Sequence, residues 1–186
     1  KDELKTIDLK GEWSFYWNKF LDPKSVLSGA IPKEDGFLKV PSSWKKSEFG
    51  NELMAPKGFG SYLLRVKGVP QKMALYFYPG RVKQTSKVFL IQGGRADVIF
   101  EAGKPGNRVN KELPQLLSTK KQKVVLEKGD FTLLIHASNF GYRDGGVAIA
   151  PRFYYKSDIK MDYFKMFSSG MLLIMALYHF GLFLKR

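Results

Sequence analysis

An uncharged run near the C-terminus constrains the fold of this chain more than any other feature of its sequence. Residues 166–184 read MFSSGMLLIMALYHFGLFL, without an Asp, Glu, Lys or Arg. A helix of this length spans about 28 Å, close to the bilayer's hydrocarbon thickness of about 30 Å. Such a helix also fits the centre of a large soluble domain, but a chain of 186 residues offers little protein to surround it. The run therefore predicts a transmembrane helix over residues 166–184.

The charges that flank this run predict its orientation. Lys185 and Arg186 follow it directly, and positive charge marks the cytoplasmic side of a span, although Lys160 and Lys165 precede it. We therefore expect a protein of the inner (cell) membrane, with residues 1–157 in the periplasm or outside the cell and a juxtamembrane link over residues 158–165. His179, inside the run, is expected to be a neutral, hydrogen-bonded structural residue.

The first 157 residues have the alternating pattern of a β-sheet protein. Short runs of alternating apolar residues end at turn-forming residues, as at Gly93 and Gly129. About eight such strands without intervening helices predict a sandwich or a barrel. The long connections at residues 20–33 and 102–119, the first with room for a short helix, favour a sandwich. The expected fold class is all-β: a jelly-roll β-sandwich over residues 1–157, followed by one C-terminal transmembrane α-helix.

The sequence lacks the residue combinations that most enzymes use. It contains no cysteine, which excludes disulfides and thiolate metal sites. Its two histidines, His136 and His179, are far apart in sequence, which argues against a His-based metal site or a catalytic triad. His136 alternates with Ile135 and Ala137, so we expect a structural side chain on the face opposite theirs. We expect no catalytic residue, no metal and no cofactor.

The net charge of +14 favours an anionic partner: nucleic acid, lipid headgroups or an acidic glycan. Lys and Arg are spread along the whole chain, and the densest run, KKQK at residues 120–123, is typical of a solvated turn. A nucleic-acid surface needs a longer basic stripe with exposed aromatic side chains. We therefore do not expect nucleic acid as the partner.

Two segments carry side chains suited to a small ligand. Trp44 follows VPSS in a loop at one end of the predicted sandwich, so its ring is a candidate floor for a sugar, with core packing as the alternative. The segment SNFGYRDGG at residues 138–146 follows a strong strand, and its glycines permit close backbone approach. In it, Arg143 can pair with a carboxylate or two hydroxyls of a ligand, or with Asp144 to pin the loop.

Four motifs and the start of the membrane run resemble a known family. They are LKGEWSFYW at residues 9–17, VPSSW at 40–44, GFGSYLLRV at 58–66, SNFGYRDGG at 138–146 and ALYH at 176–179. Together they resemble the extracellular sensing domain and first membrane helix of bacterial seven-transmembrane receptors with diverse intracellular signalling modules. The resemblance implies a galactose-binding-like jelly roll that binds a carbohydrate or similar small ligand and relays a signal through the membrane to a cytoplasmic output.

These motifs supply the candidate ligand-binding residues: Trp44, Tyr62, Arg65, Asn139, Tyr142 and Arg143. Two other functions stay open. The opening motif and the V-P-x-x-W pattern at residues 40–44 also look like the sugar-binding N-terminal domain of some glycoside hydrolases, which predicts a non-catalytic sugar-binding module. The third hypothesis is a protein-interaction or dimerisation sandwich, so a homodimer is also left open.

Overall fold

The computed structural model describes residues 6–49, 52–114, 122–155, 171, 174 and 175. Within them, short alternating segments form antiparallel strands: β1 (Thr6–Asp8), β2 (Gly11–Trp17), β3 (Gly36–Val40), β4 (Ser42–Ser43), β5 (Glu48–Phe49), β6 (Glu52–Leu53), β7 (Gly58–Val69), β8 (Met73–Tyr78), β9 (Arg81–Val82), β10 (Thr85–Gln92), β11 (Arg95–Ala102), β12 (Gln122–Leu126), β13 (Gly129–Asn139), β14 (Gly146–Ile149) and β15 (Arg152–Tyr154). Helix α1 (Pro23–Ser28) and 3-10 turns at Trp44–Lys46 and Val109–Lys111 complete the described elements.

Two sheets form the body of the domain. The larger has six strands in the order β11-β10-β13-β7-β2-β3, and the smaller has four in the order β1-β15-β8-β12. Two short sheets, β4-β14-β9 and β5-β6, lie beside them. Strand β13 is central, because it pairs with β10 on one side and with β7 on the other.

A single apolar core lies between the two large sheets. Both sheets contribute fully buried side chains to it: Trp13, Phe15, Leu133 and Ile135 from the larger, and Leu75, Phe77, Leu126 and Phe153 from the smaller. Alternate residues of the central strands face this core, as with Leu133 and Ile135 of β13, which is the period-two pattern of a sheet with one buried face. The expected all-β sandwich is therefore confirmed.

The outer face of the six-stranded sheet has a second, smaller apolar cluster. Leu63, Phe89 and Leu134 point outward there and pack against Leu21, with Val26 of α1 at the edge.

The segment that covers this cluster forms the short helix α1. Asp22 caps the helix by accepting from Ser25 N at 3.2 Å, Pro23 starts it, and Gly29 ends it at φ 76°. This agrees with the prediction of at most a short helix in residues 20–33.

The predicted membrane segment falls largely beyond the described part of the chain. Of residues 166–184, only Met171, Ile174 and Met175 are described, and all three are helical and exposed. Among the described residues, no helix is both long enough and apolar enough to cross a bilayer. The link at residues 158–165 and His179 also lie outside the described residues, so these predictions stay predictions.

Candidate ligand-binding site

The end of the sandwich carries a loop that we call the Tyr142 loop (residues 139–146), which joins β13 to β14. Gly146 pairs with Ser43 of β4. Gly145 lies against the ring of Trp44, so close that a side-chain Cβ would come within 2.1 Å of a ring carbon. Its backbone N–H donates to Pro56 O at 3.0 Å and its carbonyl accepts from Trp44 N at 3.1 Å. The two glycines therefore serve the close approach predicted for them.

Asp144 fixes the loop through three donors. Its carboxylate accepts from the Ser43 hydroxyl, from Lys45 N at 3.1 Å and from Lys83 Nζ at 2.9 Å. Partial burial would raise the pKa of Asp144, but these hydrogen bonds and the Lys83 charge together hold it below its usual value. The pairing of Asp144 with Arg143, one of our two readings of the loop, is wrong: Asp144 does pin the loop, but with Lys83.

Gln84 and Glu112, neither of which the sequence pattern predicted as a site residue, hold the first half of the loop. The side-chain oxygen of Gln84 accepts from Gly141 N at 3.0 Å and from Tyr142 N at 2.7 Å. Gln84 itself has a φ of 78°, a strained conformation that this network maintains. Its amide nitrogen donates to Glu112, which is only 6% exposed.

Glu112 is a hub of hydrogen bonds at the base of the loop. Besides Gln84, its carboxylate accepts from Thr85 Oγ1 at 3.2 Å, Ser138 Oγ at 2.5 Å and Phe140 N at 3.1 Å. Such a buried charge is tolerated because several donors surround it. Nothing local marked Glu112, since it lies in the irregular connection at residues 102–119 and its partners are 26 to 28 residues away.

Three of the predicted ligand-binding residues are fully buried supports of this loop. Trp44 and Tyr62 are both 0% exposed, and Trp44 Nε1 donates to Tyr62 Oη at 2.6 Å. Burial raises the pKa of Tyr62, so the phenol stays neutral. Asn139 is also buried, donating to Pro56 O at 2.8 Å and accepting from Tyr142 N at 3.0 Å. In this structure the Trp44 ring packs in the core and offers no open face.

Arg65 lies away from the others. It is exposed on β7 opposite Thr132, whereas the end of β7 next to the Tyr142 loop is Gly58, which pairs with Asn139. The separation along the strand is about 23 Å at 3.3 Å per residue. The structure therefore does not bring Arg65 to this end of the sandwich.

Tyr142 and Arg143 are the two predicted residues that the loop presents to solvent. Tyr142 is 64% exposed. Arg143 is exposed too and makes no hydrogen bond or ion pair with any residue that the structure describes. Lys45 and Lys46 of the adjacent 3-10 turn are exposed as well, so the surface around this tip is basic. An aromatic face beside an unpaired guanidinium can bind a ring that carries a carboxylate.

Comparison with known proteins relates the fold to solved structures. No family model and no curated protein matches the chain. A β-glucuronidase from an uncultured Clostridium species superposes with a TM-score of 0.52 at 16% identity, over 84% of this chain and 30% of that one. A Faecalibacterium prausnitzii β-glucuronidase gives 0.50 at 13% identity, over 83% and 32%. At these identities the likeness shows the fold alone, and the chain spans about a third of either enzyme's length.

Proposed function

We propose that this chain is a non-catalytic carbohydrate-binding module of galactose-binding-like jelly-roll type, which recognises an acidic sugar through Tyr142 and Arg143. The observation that carries the proposal is the exposed Tyr–Arg pair on a loop whose backbone is fixed from several sides. A loop that is already ordered loses little conformational entropy when a ligand binds.

The chemistry of the pair suits a uronic acid. The planar guanidinium of Arg143 can donate two parallel hydrogen bonds to a carboxylate. The Tyr142 ring offers an apolar face to the C–H groups of a pyranose and a hydroxyl at its edge. The net charge of +14 and the neighbouring Lys45 and Lys46 attract an anionic glycan to this tip.

The fold comparisons are compatible with an accessory role. The matched proteins are named as β-glucuronidases, and this chain corresponds to about a third of each. In such an arrangement a sandwich module holds a sugar while another part of a longer protein performs the chemistry. The proposal therefore assigns binding, and no reaction, to this chain.

Calorimetric titration of the 186-residue chain with methyl glucuronide and methyl galacturonide, and with the matching neutral glycosides, tests the proposal. We expect the uronides to bind, and a ligand at 100 times its Kd to stabilise the fold by about 2.7 kcal/mol. Arg143→Gln should weaken uronide binding about 10- to 100-fold, because hydrogen bonds to charged groups contribute about 1.5–3 kcal/mol.

Arg65→Gln is the matched control, since it removes the same charge from another exposed arginine. It should leave uronide binding unchanged. Equal losses in the two variants would mean that net charge, and not the Tyr142 loop, attracts the ligand, and the proposal would then fail. The proposal would also be contradicted if neither substitution changed the affinity for the uronides.

A second candidate function is the ligand-sensing extracytoplasmic domain of a bacterial membrane receptor. The uncharged run at residues 166–184 favours it, with residues 1–157 in the periplasm or outside the cell. Membrane fractionation of the expressed chain, with protease added to intact spheroplasts, tests this. Cleavage of the sandwich by the external protease, with the C-terminal segment recovered in the membrane fraction, would support a receptor; a chain that stays in the soluble fraction would argue for the module alone.

A further inference from the structure

A cleft lies on the outer face of the six-stranded sheet, apart from the Tyr142 loop. Its volume is about 330 Å³, at the lower end of the range for small-molecule sites. The lining side chains come from the segment before α1, from three strands and from the loop after β11: Phe20, Lys87, Glu101, Lys104, Pro105 and His136.

Tertiary hydrogen bonds fix both walls of the cleft. On one side, Leu21 N donates to Ser61 Oγ at 3.0 Å, and Ser61 Oγ donates to Lys19 O at 2.8 Å. On the other, Lys104 and Leu113 exchange backbone hydrogen bonds of 2.8 and 3.0 Å. The cleft is therefore preformed, and a ligand would not have to order its walls.

Aromatic rings form the floor. The ring of Phe20 stacks on the imidazole of His136, with centroids 4.9 Å apart and planes 29° from parallel. Phe59 supports Phe20 at 4.9 Å, and Phe89 supports His136 at 5.0 Å. Pro105 also lines the cleft, so the cleft offers apolar surface against which the C–H face of a pyranose ring can pack.

His136 is a neutral hydrogen-bond acceptor in this floor. Its Nε2 lies 2.8 Å from Leu21 O, and because a carbonyl oxygen only accepts, Nε2 must carry the proton. Burial lowers the pKa of His136 to about 4, so the ring is uncharged near pH 7. Nδ1 is then left as an acceptor, which suits a sugar hydroxyl.

The rim offers a donor and an acceptor whose charges cancel. Lys87 Nζ and Glu101 form an ion pair of 2.5 Å between adjacent strands β10 and β11. An ammonium beside a carboxylate can donate to one ring hydroxyl and accept from its neighbour. Because this pair is neutral overall and His136 is uncharged, the cleft has no fixed partner for a ligand carboxylate other than the exposed Lys104 at its edge.

We propose that this cleft is a second carbohydrate site, which takes one neutral pyranose unit against Phe20 and beside His136 and holds its hydroxyls with Lys87 and Glu101. The site differs in position and in charge preference from the Tyr142 loop, so it stands whether or not that loop binds a uronide. A glycan with both neutral and acidic units would suit the two sites together.

Selective ¹⁵N-histidine labelling reads this site directly, because the chain contains only two histidines. A His136→Phe sample assigns the His136 ring signals. The labelled chain is titrated at pH 7.5 with the neutral methyl glycosides of glucose, galactose and mannose, and with methyl glucuronide. We expect a saturable shift of the His136 ring nitrogens with at least one neutral glycoside.

Glu101→Gln should weaken that titration about tenfold, because a charged acceptor for a hydroxyl is lost. Asp97→Asn, which breaks another exposed ion pair on β11, is the matched control and should leave it unchanged. Arg143→Gln should also leave it unchanged, which separates this site from the Tyr142 loop.

Three outcomes would overturn the proposal. The first is the absence of a saturable His136 shift with any neutral glycoside, and the second is a shift with the glucuronide alone. The third is an equal loss with Asp97→Asn and Glu101→Gln. In the absence of glycoside, the His136 ring signals of Glu101→Gln should lie at their wild-type positions, which verifies that this variant keeps the floor of the cleft intact. If those signals have moved, Lys87→Gln is used in place of Glu101→Gln, and the same loss of binding is expected.

Discussion

The two faces of strand β13 are built on different principles. Its inner face, with Leu133 and Ile135, packs against the second sheet in the main hydrophobic core. Its outer face has the apolar Leu134 but also His136 and Ser138, which hydrogen-bond to a backbone carbonyl and a carboxylate respectively. The inner face therefore stabilises the sandwich mainly by burial, whereas the polar side chains of the outer face help to order the segments that form the cleft and the first half of the Tyr142 loop.

Truncating neighbouring leucines gives the largest test of this difference. Leu133 and Leu134 are both 0% exposed, adjacent, and on opposite faces. Leu133→Ala should lower the free energy of unfolding by about 4–5 kcal/mol and Leu134→Ala by about 2–3 kcal/mol, within the range seen for buried leucines. The cavity left by Leu133→Ala lies between two hydrogen-bonded sheets, which cannot close on it. The cavity left by Leu134→Ala lies under a short helix, which can shift to fill it. Urea denaturation measures both, and equal losses would contradict the comparison.

The pH dependence of stability is the next largest effect and belongs to the outer face. Burial, helped by the Lys87 charge, lowers the pKa of His136 from 6.5 to about 4, although the hydrogen bond to Leu21 and the charge of Asp22 oppose this. Above pH 6.5 the ring is neutral in both states, so it contributes nothing. Between pH 6.5 and about 4 the unfolded chain binds the proton more tightly, so the fold loses stability, by about 3 kcal/mol in total.

His136→Phe isolates this contribution, because it removes the titrating group and keeps a ring between Phe20 and Phe89. Urea denaturation at pH 7.5 and pH 4.5 should show a smaller loss of stability on acidification in the variant than in the wild type. Asp144, whose pKa is lowered, loses its own stabilising effect as the pH falls through its folded-state value, but it does so in both proteins. Parallel pH profiles would show that His136 is not buried as a neutral group.

Much of the inner face could be predicted from the sequence, because period-two alternation is a local signal. Tyr62, Leu64 and Val66 alternate along their strand with Leu63 and Arg65, and all three pack on the inner core, as that alternation indicates. The outer face and the loop could not be predicted in the same way. Asp144 pairs with Lys83, which is 61 residues away in the sequence, and His136 bonds to the carbonyl of Leu21, which is 115 residues away. Such pairs depend on strand order, which alternation does not specify.

Trp44 shows the limit within a single residue. An aromatic residue after a proline-containing segment suits both a ligand floor and a core, so its sequence context favours neither. Its burial follows from contacts with Gly145 and Tyr62, which come from distant parts of the chain. The exposed Tyr142 and Arg143, in contrast, lie in a polar, glycine-rich segment that predicts a surface loop from composition alone.

Glu112→Gln tests the polar half of the comparison at a smaller scale. The variant keeps the shape of the side chain but replaces one acceptor oxygen with an NH₂ group amid donors from Gln84, Ser138 and Phe140. We expect a loss of about 1–3 kcal/mol, the usual cost of leaving a buried polar group unpaired. Hydrogen exchange should quicken at the amides of Phe140 and Tyr142 while those of the inner core stay protected.

Glu12→Gln is the control for that experiment, because Glu12 is an exposed glutamate on β2 of the same sheet. Its stability should stay within about 0.5 kcal/mol of the wild type. If Glu112→Gln behaved the same way, the hydrogen bonds around Glu112 would not hold the Tyr142 loop.

Tyr142→Ala should have the smallest effect on stability, although it deletes a whole aromatic side chain. Because that side chain is exposed and its backbone N–H remains bonded to Gln84 and Asn139, the free energy of unfolding should change by less than about 0.5 kcal/mol. Tyr62→Phe removes one oxygen atom, yet it leaves the buried Trp44 Nε1 without its acceptor and should cost about 1–3 kcal/mol. Tyr142→Ala should in contrast weaken uronide binding more than Tyr62→Phe does, and calorimetry on the same samples measures both affinities. If Tyr142→Ala destabilised the fold more than Tyr62→Phe, the Tyr142 side chain would belong to the packing of the sandwich and not to its binding surface.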